Sequence, residues 1–463
     1  MFDQNIYVER RRRLLEGMSG GLILLMGNGE SPMNFPDNTY RFRQDSHFLY
    51  FFGLDRPGLA GLIDLETQQA TIYGDELTIN HIVWMGPMPT ISSQAEQAGI
   101  SQTAPFGELA DKLADARKQG RTIHFLPPYR AENMIQLGQW LDVPAHEVRQ
   151  HVSDELIRKV VSLCSIKGPE EVAEMEKAIN ITRAMHLAAM RAARPGIKEA
   201  QLAGIVEGIA LASGGQLSYP AILTVNGQTL HNHYHGNVLK SGQLILGDFG
   251  AETDTHYAGD ITRTFPVDKT FTPKQKDIYE LVLDTEVACI NACRPGLRYL
   301  DIHLMAARKI TDGLKALGLM KGDTEEAVQQ GAHALFFPHG LGHMLGMDVH
   351  DMEGLGEDFV GYGGEVERST QFGLKSLRLA RALQPGFVLT VEPGIYFIPE
   401  LIAMWQKEGK CKAFINYKKV NEYLDFSGVR IEDNVLITEE NHQVLGQPIP
   451  KTVAEVEAIR AAE

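Results

Sequence analysis

The chain has 463 residues, 44% hydrophobic and 22% charged, with a formal net charge of −15 at pH 7. That balance is ordinary for a folded globular protein, and the length exceeds what one hydrophobic core usually organises, so two domains are expected. The acidic excess argues against nucleic-acid binding, which needs a basic face, and no run approaches the ~18 apolar residues of a membrane span.

Residues 5–18 are predicted helical, with the basic block Arg10–Arg13 as a solvated face. Residues 20–26 read as a buried strand. The segment 38–53 (NTYRFRQDSHFLYFFG) passes from polar residues into an aromatic strand, and 59–65 and 69–73 continue a sheet. Residues 82–85 form a short apolar strand carrying Trp84. Helices at 106–118 and 130–141 flank a strand at 122–126, so strands alternate with helices in an α/β domain. The four cysteines, Cys164, Cys289, Cys293 and Cys411, make neither a CxxC pair nor a zinc set, and they read as reduced thiols of a cytoplasmic protein.

A boundary falls at 165–171 (SIKGPEE), where Gly168-Pro169 breaks the chain and two glutamates suit a helix first turn. A long helix then runs to about residue 193, and a second covers 198–213. Strands follow at 218–225, 243–249 and 256–266, with LHNHYHGN at 230–237 among them. Helices at 273–293 and 298–318 precede the glycine-rich stretch PHGLGHMLGMDVHD at 338–351. Residues 353–384 are irregular and are expected to form loops over one side of a site. The last clear strands are 388–397 and 429–437.

Chemistry concentrates in the second half. His339, His343 and His350 fall in one stretch with glycines at 340, 342 and 346. Histidine is the commonest metal ligand and proton shuttle, and closely spaced glycines let backbone approach a neighbour. Asp248 ends one apolar strand and Asp260 lies on the next, so a hairpin sets both carboxylates on one face. Glu392 in VLTVEPG and Glu432 in VRIED are further acids inside apolar sequence. Buried acids need a cationic partner, and Arg263, Arg378 and Arg430 are available. Four acids with one histidine would instead satisfy two divalent cations ~3.5–4 Å apart. Such an oxygen-rich set suits Mn2+, with Co2+ or Zn2+ possible.

The segments DFGAETDTHYAGDITRTFP, PHGLGHMLGMDVHD, VLTVEPGIYF and GVRIEDNV resemble the proline-specific pita-bread metallopeptidases, the Xaa-Pro aminopeptidases and Xaa-Pro dipeptidases. FRQDSHFLYFFGL is similar to the start of that family's smaller domain. The resemblance implies an α/β N-terminal domain over 1–163 and a pita-bread catalytic domain over 168–463. It implies five metal ligands: Asp248, Asp260, His343, Glu392 and Glu432. Asp260 and Glu432 would bridge two ions, Asp248 would complete one shell, and His343 with Glu392 the other. His231 and His350 match the family's non-ligand catalytic histidines, although His233 and His235 crowd the first match. His339 falls in the pocket by motif position. Arg430 and Tyr396 match positions that orient ligands.

In FGLKSLRLARALQPG, Arg378 matches an arginine that faces the carboxylate end of a dipeptide, a two-pronged contact favouring substrates that end after proline. Trp84, in HIVWMGP, matches a segment that reaches a neighbouring subunit's site, so a homodimer or homotetramer is implied. The implied reaction is metal-assisted hydrolysis after the first residue of peptides with proline second, Glu392 moving the proton. A dipeptide-only enzyme and a non-catalytic peptide-binding relative are the alternatives. The Asp248–Asp260 interval is one residue longer than the usual family hairpin, which puts the turn in question.

Overall fold

The run LILLM becomes the strand Leu22–Met26, whose first four residues are buried, as a continuous apolar run requires of an interior strand. This computed structural model describes residues 1–364 and 366–462, which divide into two compact units. The first comprises Met1–Cys164 with Gly354–Phe359, and the second Ser165–Glu353 with Val360–Glu463.

The first unit holds a five-stranded sheet in the order Gln102–Ala104, Gln69–Tyr73, Ala60–Asp64, Leu22–Met26, Ile123–Phe125. Both edge strands pair parallel to their neighbours and the inner pairs are antiparallel. Leu22, Leu24, Leu62, Leu109, Leu113, Phe125 and Trp140 form one core cluster between this sheet and the helices Glu108–Lys118 and Ala131–Leu141. The arginine at position 158 stacks over the Phe359 ring at 4.8 Å, which explains why that short later segment groups here.

Three expectations fail in this unit, each for a local reason. The aromatic segment forms the helix Ser46–Phe52, not a strand, and every residue of it is buried except His47. A short apolar run has no periodicity to separate the two states. The capping signals decide: Asp45 accepts from Phe48 N, and Gly53 closes the helix at φ 68°. Likewise Ile79–Met85 is a helix capped by Thr78, not a strand, and none of its residues is buried. Finally, Arg10 and Arg11 are buried. Arg10 donates to Tyr50 O, and Arg11 to Phe51 O and Ala98 O, so these guanidiniums cap the carbonyl end of the aromatic helix. Arg12 and Arg13 remain the solvated pair.

The second unit packs the helix Pro169–Ala192 on Glu199–Ala212, and Pro273–Ala292 on Tyr299–Ala316. These cover small antiparallel sheets. One has the order Ile261–Pro266, Leu244–Phe249, Ile222–Thr224, and another the order Val388–Val391, Asp433–Ile437, His442–Val444. Gly394–Tyr396 pairs with Gly428–Arg430. The expected continuous strands at 388–397 and 429–437 are thus each broken in two. The first breaks at Glu392-Pro393, where proline has no N–H for a ladder, and the second at Ile431-Glu432. Helices Asp154–Cys164, Pro399–Glu408 and Val453–Ala461 were not expected from the sequence pattern. All four cysteines are free thiols.

Candidate metal centre

The hairpin of Leu244–Phe249 and Ile261–Pro266 pairs Asp248 with Thr262, so Asp260 is the diagonal neighbour of Asp248 on the same face. The turn between these strands leaves Ile261–Pro266 paired in register with Leu244–Phe249. Ala251–Glu252 pairs with Gln216–Leu217, Thr253 N donates to Tyr257 O, and His256 takes φ 67° to turn the chain. From below, His186 of the long helix stacks on Phe249 at 4.0 Å and donates from Nε2 to Ile261 O.

The glycine-rich stretch runs beside the strand Val388–Val391. Thr390 N donates to His343 O, and Glu392 N to Leu341 O. A Cβ on Gly342 would lie 2.0 Å from Thr390 O, so glycine there permits the approach. This pairing sets His343 beside Glu392. Glu432 reaches the same place from the break in its own strand, where its backbone N donates to Thr262 O and its Oε2 accepts from Thr262 Oγ1 at 2.6 Å.

Ligand atoms of Asp260, His343 and Glu432 all lie within 4.8 Å of one another. His343 spends Nδ1 on Met344 O at 3.0 Å, which turns Nε2 toward Asp260 Oδ2 at 3.4 Å and Glu392 Oε1 at 3.7 Å. Lone pairs that converge in this way repel unless a proton or cation sits between them. Burial pushes Glu432 well above the usual carboxylate range, and the neighbouring Asp260, Glu392 and Asp248 push the same way. Burial also raises Asp248, against Arg430, and takes Glu392 to about 7. Burial opposes the charged forms of Asp260 and His343 too, but their mutual hydrogen bond wins, holding the acid low and the imidazole high. The donor set, four carboxylates and an imidazole nitrogen oriented by a backbone carbonyl, fits hard or borderline divalent cations.

Around it, Arg430 donates to Asp248 Oδ2, to Tyr396 OH at 2.8 Å and to Thr262 Oγ1 at 3.2 Å. His339 uses both ring nitrogens, Nδ1 on Gly340 O and Nε2 on Tyr396 OH. It therefore props Tyr396, although its ring also lines the cavity. Arg263 lies elsewhere, paired with Asp433.

A cavity of about 320 Å³ opens over these groups. Asp248, Asp260, His343, Glu392 and Glu432 form its floor, with Arg430 beside them, and His231, His233, His350 and Arg378 line its wall. Trp84 lies on the exposed helix of the first unit and takes no part in that lining. Tyr219, not singled out from sequence, has its hydroxyl 2.5 Å from Oδ1 of both Asp248 and Asp260. Only its position just before Ile222–Thr224 could have suggested it. Glu199 was also missed. Fully buried, it accepts from Val225 N, Asn237 N and Asn237 Nδ2, and so ties together both ends of the loop carrying His231.

The pattern of Metallopeptidase family M24 matches residues 173–439. The chain belongs to metallopeptidase family M24. Residues 7–124 of this M24 chain match the aminopeptidase P N-terminal domain. It is 32% identical to the Xaa-Pro dipeptidase of Homo sapiens, over 98% of this chain and 91% of the relative. It is 30% identical to the Xaa-Pro aminopeptidase of Escherichia coli, over 98% and 97%. The solved structure of Pseudomonas aeruginosa aminopeptidase PepP superposes with a TM-score of 0.82 at 30% identity, covering 99% of this chain and 98% of that one. The M24 chain therefore has the mixed α/β architecture expected, an aminopeptidase-P-type domain followed by a pita-bread domain. Among the described residues no helix is long and apolar enough to cross a membrane.

Proposed function

We propose that this metallopeptidase hydrolyses the bond between an N-terminal residue and a proline in second position, as an Xaa-Pro aminopeptidase. The observation that carries the reading is the orientation of His343, whose Nε2 faces Asp260 and Glu392 beside Glu432. Asp248, Asp260, His343, Glu392 and Glu432 would hold two divalent cations, Mn2+ first among them, with Co2+ or Zn2+ able to serve. Such ions supply Lewis acidity and make hydroxide available near neutral pH. Glu392, whose side chain is 18% exposed at the cavity floor, accepts the proton of the attacking water and passes it to the leaving proline nitrogen. That nitrogen is tertiary in the substrate and leaves only once protonated. His350 and His231 stand in the wall where they can hydrogen-bond the substrate carbonyl as charge develops on it. Arg430 and Tyr396 orient Asp248.

The relatives carry both aminopeptidase and dipeptidase names. A second reading, restriction to dipeptides, is favoured by Arg378 in the cavity wall, where its fork could take a carboxylate lying just past proline. Chelated protein, reloaded with Mn2+, Co2+ or Zn2+ and given Xaa-Pro and Xaa-Pro-Xaa peptides side by side, separates these outcomes. Cleavage of neither, in any metal, refutes both.

The assembly is part of the same proposal. Ile79, Val83, Trp84 and Met85 are 71–82% exposed on one short helix, an apolar patch suited to a second copy of this chain in a homodimer or homotetramer. Sedimentation that finds an active monomer removes this element.

A further inference from the structure

One acid beside the cavity has no part in the chemistry above. Glu353 follows the histidine stretch by two residues and accepts a hydrogen bond from His350 Nδ1. The same carboxylate faces Arg378, with Oε1 3.4 Å from one terminal guanidinium nitrogen and Oε2 3.4 Å from Nε. One group thus meets two of the wall residues assigned to substrate, His350 and Arg378. At 40% and 34% side-chain exposure, Glu353 and Arg378 lie where a ligand can compete for either. The terminal nitrogen donates to Oε1 and Nε makes only an ion-pair contact with Oε2, so Glu353 holds this face of the guanidinium more loosely than a tight two-pronged pair would.

The glutamate side chain and the C-terminus of a peptide ending at proline are the same chemical group. They would seek the same face of Arg378. We propose that Glu353 is a specificity-determining residue, an internal carboxylate that competes for Arg378 and so lowers preference for peptides ending in a free carboxylate just after proline. The proposal rests on the Xaa-Pro reading. Its contact with His350 serves all substrates alike, because every substrate presents the same scissile carbonyl.

The test compares the dipeptide Ala-Pro with its neutral amide on the metal-loaded, full-length protein. In Glu353→Gln the side chain still accepts from His350 but no longer carries charge toward Arg378. The ratio of kcat/KM for acid over amide should rise about two- to five-fold, the scale of a partly exposed ion pair. The change should sit in KM. It should vanish when Glu353→Gln is placed on an Arg378→Met background. Glu353→Asp, which withdraws the carboxylate by one methylene, should give a smaller rise and serves if the glutamine variant does not fold. An unchanged or falling ratio in these variants, or a rise that survives without Arg378, overturns the proposal. If the wild type cleaves neither probe nor Ala-Pro-Ala, the Xaa-Pro reading fails on its own. Calorimetric affinities of the two probes then decide the role of Glu353. No binding, or an affinity ratio that Glu353→Gln leaves unmoved, overturns it.

Discussion

Replacing Arg430 with Met isolates the charge balance of the candidate metal centre. Its side chain is 4% exposed and that of its partner Asp248 is 11% exposed. It also donates to Tyr396 OH and Thr262 Oγ1. Burial already pushes Asp248 upward, and Arg430 opposes it most strongly, helped by the Tyr219 hydroxyl. Removing the guanidinium strands a buried carboxylate, which costs about 3–5 kcal/mol when one partner of a buried pair is deleted. Without that opposing charge Asp248 favours its protonated form still more and serves less well as a proposed ligand, and losing such an orienting partner lowers metal affinity about 10–100-fold. Urea unfolding of metal-free protein measures the first effect and calorimetric Mn2+ titration the second. The double variant Asp248→Asn, Arg430→Met removes charge and countercharge together, so it should recover most of the lost stability while binding metal no better. A loss below about 1 kcal/mol in the single variant, or no recovery in the double, refutes this account of the pair.

Three further outcomes follow from other parts of the molecule. Glu392→Gln should abolish turnover of Xaa-Pro peptides while leaving the urea midpoint of the metal-free protein unchanged; retained activity would remove Glu392 from proton transfer. Glu199→Ala leaves three donors at the feet of the His231 loop unsatisfied, at about 1–3 kcal/mol each. Amides of residues 226–236 should then exchange faster by mass spectrometry while Mn2+ affinity holds, and unchanged exchange would rule out the tether. Burial holds His303 at about 3 and His333 at about 4, and among the described residues no ring nitrogen of either has a hydrogen-bond partner. Both folded values lie below the unfolded ~6.5, so the unfolded chain binds the extra protons. Stability is therefore intact above pH ~6.5 and falls as pH drops toward 4, by about 1.4 kcal/mol per pH unit per histidine. A His303→Phe, His333→Leu variant should show a shallower pH dependence of its urea midpoint between pH 7.5 and 5, the remainder coming from His186 and His339, which burial also holds at about 3; an unaltered slope would contradict the linkage.

Chemistry-bearing residues were legible where their type is costly in its sequence surroundings. Asp248, Asp260, Glu392 and Glu432 stand out because an acid inside apolar sequence needs a cation, whatever the fold. The glycines around His343 were legible for a similar reason, since only close backbone approach accounts for so many. The long helices of the second unit carried capping and breaking signals, and those helices are present. The aromatic segment before Gly53 and the segment around Trp84 were misread because short apolar runs fit helix and strand alike, and the deciding Asp45 and Thr78 caps lie outside the runs.

Tertiary structure decided how these residues meet. Sequence spacing placed acids on a hairpin, but the register set Asp248 opposite Thr262, with Asp260 on the diagonal. Residues far apart in the chain closed the site: Tyr219 touches both aspartates, and Arg430 was chosen over Arg263 as the partner of Asp248. His339, placed in the pocket by motif position, lines the cavity but has both ring nitrogens taken. Local sequence can announce that a group must be neutralised, because burial and charge cost free energy wherever they occur. Which partner neutralises it depends on distances of a few ångströms between segments up to 182 residues apart, and only the folded chain sets those distances.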